Sequence, residues 1–223
     1  MRTGPLTPAR ITAAAIALAD AEGLEAVTMR RLATALGVAT AGLYRHFSSR
    51  TALVAAMADT AAGASRPPPA AVTGWRARLE HEAREEWRLY RRHPWLLRVL
   101  ATTRPPLEPG VLAGAERSIA AARDAGLPAS RAMAAYLAVS GLVQGLALLP
   151  AAELAAADSG PTIEEWWRRE AAGAVAALAE AGGLPHLSDQ FPAAPFVEFD
   201  ALFESALATL LDGVAAQVTP PNK

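Results

Sequence analysis

The chain is expected to fold as an all-α protein of two parts, a small N-terminal helical unit and a larger helical body. Three observations carry that expectation. Of the 223 residues, 52% are hydrophobic, enough for a sizeable core, yet alanine is abundant and Ile, Thr, Tyr and Phe are few. Apolar residues recur three and four apart along most of the chain, which is helical spacing. Glycines and prolines fall between these runs, and the triplet Pro67-Pro68-Pro69 cannot lie inside a helix.

Thr7-Pro8 opens the first helix, with a hydroxyl as N-cap and proline in the first turn, after a loose tail over residues 1–6. Ile11, Ala14, Ala15, Leu18 and Ala19 form its apolar stripe, and Gly23 ends it. Thr28 caps a second helix whose packing face is Leu32, Ala33, Leu36 and Val38. Gly37 supplies the turn, and Leu43 and Phe47 share one face of the helix that follows. Ser48-Ser49 starts another helix over 50–62. Residues 63–73 read as a semi-rigid linker, which sets an N-terminal domain at 1–62 and a body at 74–218.

In the body, helices are expected over 75–92, 95–102, 111–125, from about 129 to 149, over 162–181 and over 196–217. His93-Pro94, Arg104-Pro105-Pro106, Gly126-Leu127-Pro128, residues 155–161 and the proline-containing stretch 184–195 interrupt them. Residues 219–223 read as a disordered tail.

Two short helices joined by a glycine turn form a helix-turn-helix, whose second helix fits the DNA major groove. The residues facing base edges would be Ala39, Thr40, Ala41 and Gly42. They are small enough for close backbone approach, and Thr40 can hydrogen-bond or touch a thymine methyl. Tyr44, Arg45, His46 and Arg50 follow as phosphate donors, and Arg30 has the fork that matches guanine O6 and N7. Singly, each could equally be a core cap or a solvated charge. Residues 1–50 carry six arginines against Asp20, Glu22 and Glu25, a net +3 in a chain of net −1, so the remainder is at −4. A basic head on an acidic body suits a polyanion partner for the head alone.

The pattern Thr28-x-x-x-Leu32-Ala33-x-x-Leu36-Gly37-Val38, then Leu43-Tyr44-x-His46-Phe47 and Arg50, resembles the helix-turn-helix signature of the tetracycline-repressor (TetR) family. The resemblance covers residues 7–62. It implies a homodimeric transcriptional regulator, usually a repressor, on a double-stranded DNA operator. In such proteins a small molecule in the C-terminal domain moves the two heads apart. It also implies that Arg30, Thr40, Tyr44, His46 and Arg50 occupy DNA-contacting positions; Thr28, Ala41, Gly42 and Arg45 complete the expected set.

A looser resemblance, over about residues 74–154, links Arg98-Val-Leu-Ala-Thr-Thr-Arg-Pro105 and Trp75 to the C-terminal domain of the tetracycline-repressor subclass itself. Where that subclass has a metal-coordinating histidine, this chain has Leu100, and where it has an amide, Glu82. The expected effector is therefore an apolar or aromatic molecule, with no metal or other cofactor. Its expected contacts are Glu82, Leu100, Thr103 and Arg104, with Trp87 and Trp166 as aromatic wall. All five tryptophans lie in the body, where burial in the core is the competing use.

Gly141-x-x-x-Gly145 on the long helix, with Phe203, Leu207 and Leu210 on the last, marks an expected four-helix dimer interface. Close packing within one subunit is the alternative for the glycine pair. An all-α enzyme is the main rival from another class. Against it, none of His46, His81, His93 and His186 sits in a catalytic or metal-binding motif, and no Gly-rich phosphate loop occurs. A DNA-binding regulator acting through protein partners, without a ligand, is a second rival; a filled body would favour it. The apolar run 142–152 is interrupted by Gln144 and Pro150 and is short for a bilayer, so no membrane partner is expected. Without cysteine or an apolar signal segment, a cytoplasmic location is expected.

Overall fold

The structure, a computed structural model, describes residues 5–156, 160–182 and 198–218, and every regular element among them is helical. The sequence readings on 1–4, 157–159, 183–197 and 219–223 lie outside these residues.

The head is built by capping. Helix α1 (Pro8–Glu22) begins where the Thr7 hydroxyl accepts the Arg10 N–H at 3.2 Å, and it ends at Gly23 with φ 81°. After a short 3-10 turn (Leu24–Ala26), the Thr28 hydroxyl accepts the Arg31 N–H and starts α2 (Met29–Leu36). Gly37 takes a left-handed φ of 67°, a conformation with a steric penalty for residues bearing Cβ, and turns the chain into α3 (Thr40–Tyr44). The Ser49 hydroxyl accepts the Ala52 N–H and starts α4 (Arg50–Gly63). Ile11, Val27, Leu32, Leu43 and Leu53 are fully buried, each contributing about 1.5–3 kcal/mol through loss of apolar surface to water.

Residues 64–74 form no helix and lead to α5 (Trp75–Arg92). Leu79, Ala83, Trp87 and Tyr90 form its buried stripe. Its exposed side is charged and ties it to the last helix: Arg84 makes two 2.8 Å hydrogen bonds to Glu204, and Arg76 reaches Asp212 at 2.7 Å. Such exposed pairs contribute roughly 0–1 kcal/mol each. A 3-10 turn (Pro94–Leu96) and α6 (Leu97–Leu100) follow. Helix was expected to reach 102, but residues 101–108 are non-helical and lead into α7 (Pro109–Asp124).

Helix α8 (Ala129–Ala156) departs from expectation. It was expected to end at about 149, yet it continues through Pro150 to Ala156. Ala151 packs on the core and Glu153 accepts the Ile163 N–H at 2.9 Å, so tertiary contacts outweigh the one N–H that proline lacks. By length and composition alone it could cross a membrane, with mean hydropathy 1.8 in its most apolar stretch. It packs here as a core helix, burying Ala132, Ala135, Val139, Ser140, Val143 and Ala147 against α5, α7 and the last helix.

Thr162 and Glu165 form a capping box for α9 (Ile163–Trp166), which passes through a π turn (Trp167–Ala171) into α10 (Ala172–Glu180). The last described helix is α11 (Phe199–Ala215). One buried cluster runs from Ile11 and Leu53 of the head through Leu79 and Val143 to Leu207 and Leu211. Head and body therefore share a core, and α4 packed on α7 is their broadest contact.

Candidate nucleic-acid interface and effector cavity

On the head, the residues expected to read DNA fall on α2, on α3 and just after it. Arg30, Ala41, Tyr44, Arg45 and His46 are exposed and Thr40 is half-buried at the start of α3. Tyr44 keeps 51% of its surface in water, although aromatic rings usually seek burial. Gly42 is buried, and a Cβ there would lie 3.6 Å from the Leu6 side chain. Thr28 uses its hydroxyl as the cap of α2.

Arg50 does something sequence reasoning missed. Its Nε donates to the Val27 carbonyl and its Nη2 to the Leu24 carbonyl, both at 2.7 Å. The guanidinium braces the chain that enters α2, so it orients the reading helices from behind. Its isolation in the sequence, after two serines, gives no sign of this.

Polar contacts also join head to body. The Asp20 carboxylate of α1 accepts the Trp95 Nε1–H at 2.7 Å and lies 2.7 Å from Nδ1 of His93. Asp59 of α4 accepts the Gly110 N–H at 2.6 Å, so α4 provides the N-terminal cap of α7. At Gly110 the helices are too close for a side chain: a Cβ would meet the Asp59 carbonyl at 2.3 Å.

Behind this contact, α5, α7 and α8 enclose a cavity of about 120 Å³, room for several waters or part of an organic molecule. Leu89, Leu100, Pro105 and Val111 line it with apolar surface, and Gly110 lies on its edge toward the head. Polar side chains line it as well. Glu82 is buried and takes two hydrogen bonds from Arg117, at 2.6 and 2.9 Å. Glu86 accepts the Ser140 hydroxyl at 2.7 Å and the Tyr90 hydroxyl at 3.1 Å. Gln144 donates to both hydroxyl oxygens. Burial pushes the Glu86 carboxyl up to about 7, against the pull of these hydrogen bonds, and the nearby Glu82 charge adds to the rise. Burial, then Glu86, also raises Tyr90 above the phenol range, and burial raises Tyr136.

The expected effector contacts divide. Glu82 and Leu100 line this cavity. Thr103 and Arg104 sit on the exposed turn after α6 and do not. Trp87 is a correction: it stacks on Phe203 with ring centres 4.7 Å apart and donates to Asp200 at 2.7 Å, locking α5 to α11. Trp166 is exposed, set edge-on to Trp167, and does not line this cavity. Sequence reasoning missed Glu86, Tyr136 and Ser140. Helical spacing put Glu86 among the charged residues of α5, and nothing local distinguished it.

The expected dimer residues divide as well. Phe203 and Leu207 are corrections, because they are buried in the subunit's own core against α5. Gly141 and Gly145 are exposed on α8 and Leu210 is half-buried on α11. Around the glycines, Leu137 and Leu148 stand exposed on the side of α8 opposite its buried stripe, Met133 is exposed at the stripe's flank, and Leu202 of α11 is exposed too.

A helix-turn-helix head sharing one core with a cavity-bearing helical body defines a class, the DNA-binding regulators with an attached helical domain. Residues 11–57 match the description "Bacterial regulatory proteins, tetR family", and residues 68–218 match "Tetracyclin repressor-like, C-terminal domain". The chain belongs to this family of tetracycline-repressor-like transcriptional regulators. It is 40% identical over 167 residues to the HTH-type transcriptional repressor DrrR1 of Streptomyces coeruleorubidus, an alignment spanning 74% of this chain and 62% of that protein. It is 30% identical to the class A tetracycline repressor protein from transposon 1721 of Escherichia coli, over 94% of this chain and 91% of the relative. ActR of Streptomyces coelicolor, solved in complex with actinorhodin, superposes with a TM-score of 0.81 at 27% identity, covering 97% of this chain and all of that one. These relatives are named as regulators or repressors.

Proposed function

We propose that this protein is a cytoplasmic homodimeric repressor that holds a palindromic operator and releases it when a small apolar or aromatic molecule occupies the cavity between α5, α7 and α8. The observation that carries the reading is Gly110. It edges the cavity and, in the same residue, touches Asp59 and Gly63 of α4 without room for a methyl group. A molecule that displaces α7 must displace α4, and α4 carries the reading head. The cavity supports this over the rival in which a ligand-independent regulator works through protein partners. The relatives named as a repressor and as an actinorhodin complex support it too.

Reading of DNA is assigned to Arg30 and Thr40 on base edges and to Tyr44, Arg45 and His46 on phosphates. The test selects bound fragments from the source genome and repeats the selection with candidate effectors present. On the selected operator, Arg30→Ala is expected to lose about 1–3 kcal/mol with relaxed specificity, while Tyr44→Phe weakens all sequences alike. Unchanged affinity of both variants at fixed salt would remove this assignment.

A further inference from the structure

Charge around the cavity is settled everywhere but at one carboxylate. Glu82 is held by two nitrogens of Arg117. Glu85 is held by Arg88 and by the Arg66 N–H at 3.0 Å. Arg117 is the one basic side chain lining the cavity among the described residues, and Glu82 already occupies it. Glu86 is different. The hydrogen bonds it accepts from the Ser140 and Tyr90 hydroxyls both fall on Oε1, and its other side-chain partner, the Gln144 amide, is neutral too. Among the described residues no cation is paired with it, although it lines the cavity beside Tyr136 and Leu89.

A carboxylate half out of water without a counter-charge is unfavourable, and a cation from outside is what relieves it. An anionic molecule would meet this acid and find Arg117 taken. A neutral one could use Ser140 and Gln144 but would gain nothing from the charge. A charge-assisted N–H···O bond inside a cavity is stronger than its neutral counterpart, and phenol rings attract cations as well. We infer that the effector of this cavity is an aromatic molecule bearing one protonated amine, its ammonium on Glu86 and its ring among Leu89, Leu100 and Tyr136. This rests on the reading of the cavity as the effector site. Seating the ammonium drives Glu86 to its ionised form, so binding near neutral pH releases protons.

The test is titration calorimetry on the full chain at pH 7.5 with 2-naphthylmethylamine and its neutral twin, 2-naphthalenemethanol. The amine is expected to bind at least tenfold tighter, with a heat that depends on the ionisation enthalpy of the buffer. Glu86→Gln should bind the amine no better than the alcohol and still bind the alcohol. Glu85→Gln, at an acid already paired, should keep the preference. Equal binding of the two probes, a preference that survives Glu86→Gln, or a variant that loses both alike overturns the inference and leaves the cavity as an effector site. If neither probe binds the wild-type protein, both the inference and the effector reading of the cavity fall.

Discussion

Arg50 and Glu86 show how one side chain takes its role from what surrounds it. Arg50 matches a DNA-contacting position by resemblance, yet two of its nitrogens are bound to the Leu24 and Val27 carbonyls. Arg50→Ala is expected to lower stability by about 1–3 kcal/mol, since charged donors to buried carbonyls contribute on that scale. Urea unfolding measures this. If stability holds while the salt dependence of operator binding drops by about one phosphate contact, Arg50 contacts DNA instead. Glu86 gives a pH signature. Its folded-state acidity lies near 7 against about 4.5 for an ordinary glutamate. Below about 4.5 both states hold the proton and Glu86 contributes nothing to pH dependence. Between the two values the folded state keeps a proton that the unfolded state has lost, so stability falls as pH rises. Glu86→Gln should therefore exceed wild type by up to ~3 kcal/mol at pH 8.5 and differ little at pH 4.5. An equal difference at both pH values would contradict this.

At the scale of elements, the contact between α4 and α7 carries the most consequence. Asp59 caps α7 from outside that helix, and Gly110 lets the two backbones meet. Gly110→Ala places a methyl 2.3 Å from the Asp59 carbonyl, so the helices must part. Operator affinity without effector is expected to fall tenfold or more, imitating the effector. At Gly114, four residues on, an added methyl meets nothing nearer than 3.9 Å, so Gly114→Ala should leave operator binding as it was. Gel-shift titration of both variants decides the matter; matched affinities would mean that α7 does not control α4. The helices themselves were legible, because caps and turns are local: Thr7, Thr28, Gly37 and Ser49 each do what their residue type predicts. The continuation of α8 past 149 was not legible, because the packing of Ala151 that holds it is not local.

For the whole molecule, the exposed side of α8 is where the proposed dimer is placed. Met133, Leu137 and Leu148 form an apolar strip around Gly141 and Gly145, where a second copy could approach closely. Leu137→Glu with Leu148→Glu is expected to give a monomer by analytical ultracentrifugation, with unchanged helical content and at least tenfold weaker binding to a palindrome. A doubly substituted protein that stays dimeric would move the interface elsewhere. That Phe203 and Leu207 turn inward was not legible, because helical period gives the apolar side of a helix but not which neighbour covers it.

The sequence by itself determined the helical class, the order of the helices, the caps and the reading motif, all of which depend on residues within a few positions of one another. Tertiary structure alone decided what those pieces do together. Asp20 meets Trp95 across 75 positions, Glu86 meets Ser140 across 54 and Asp59 meets Gly110 across 51. No local pattern encodes such meetings. The cavity and its uncompensated acid exist because α5, α7 and α8 pack side by side, and the contact between Asp59 and Gly110 exists because α4 packs on α7.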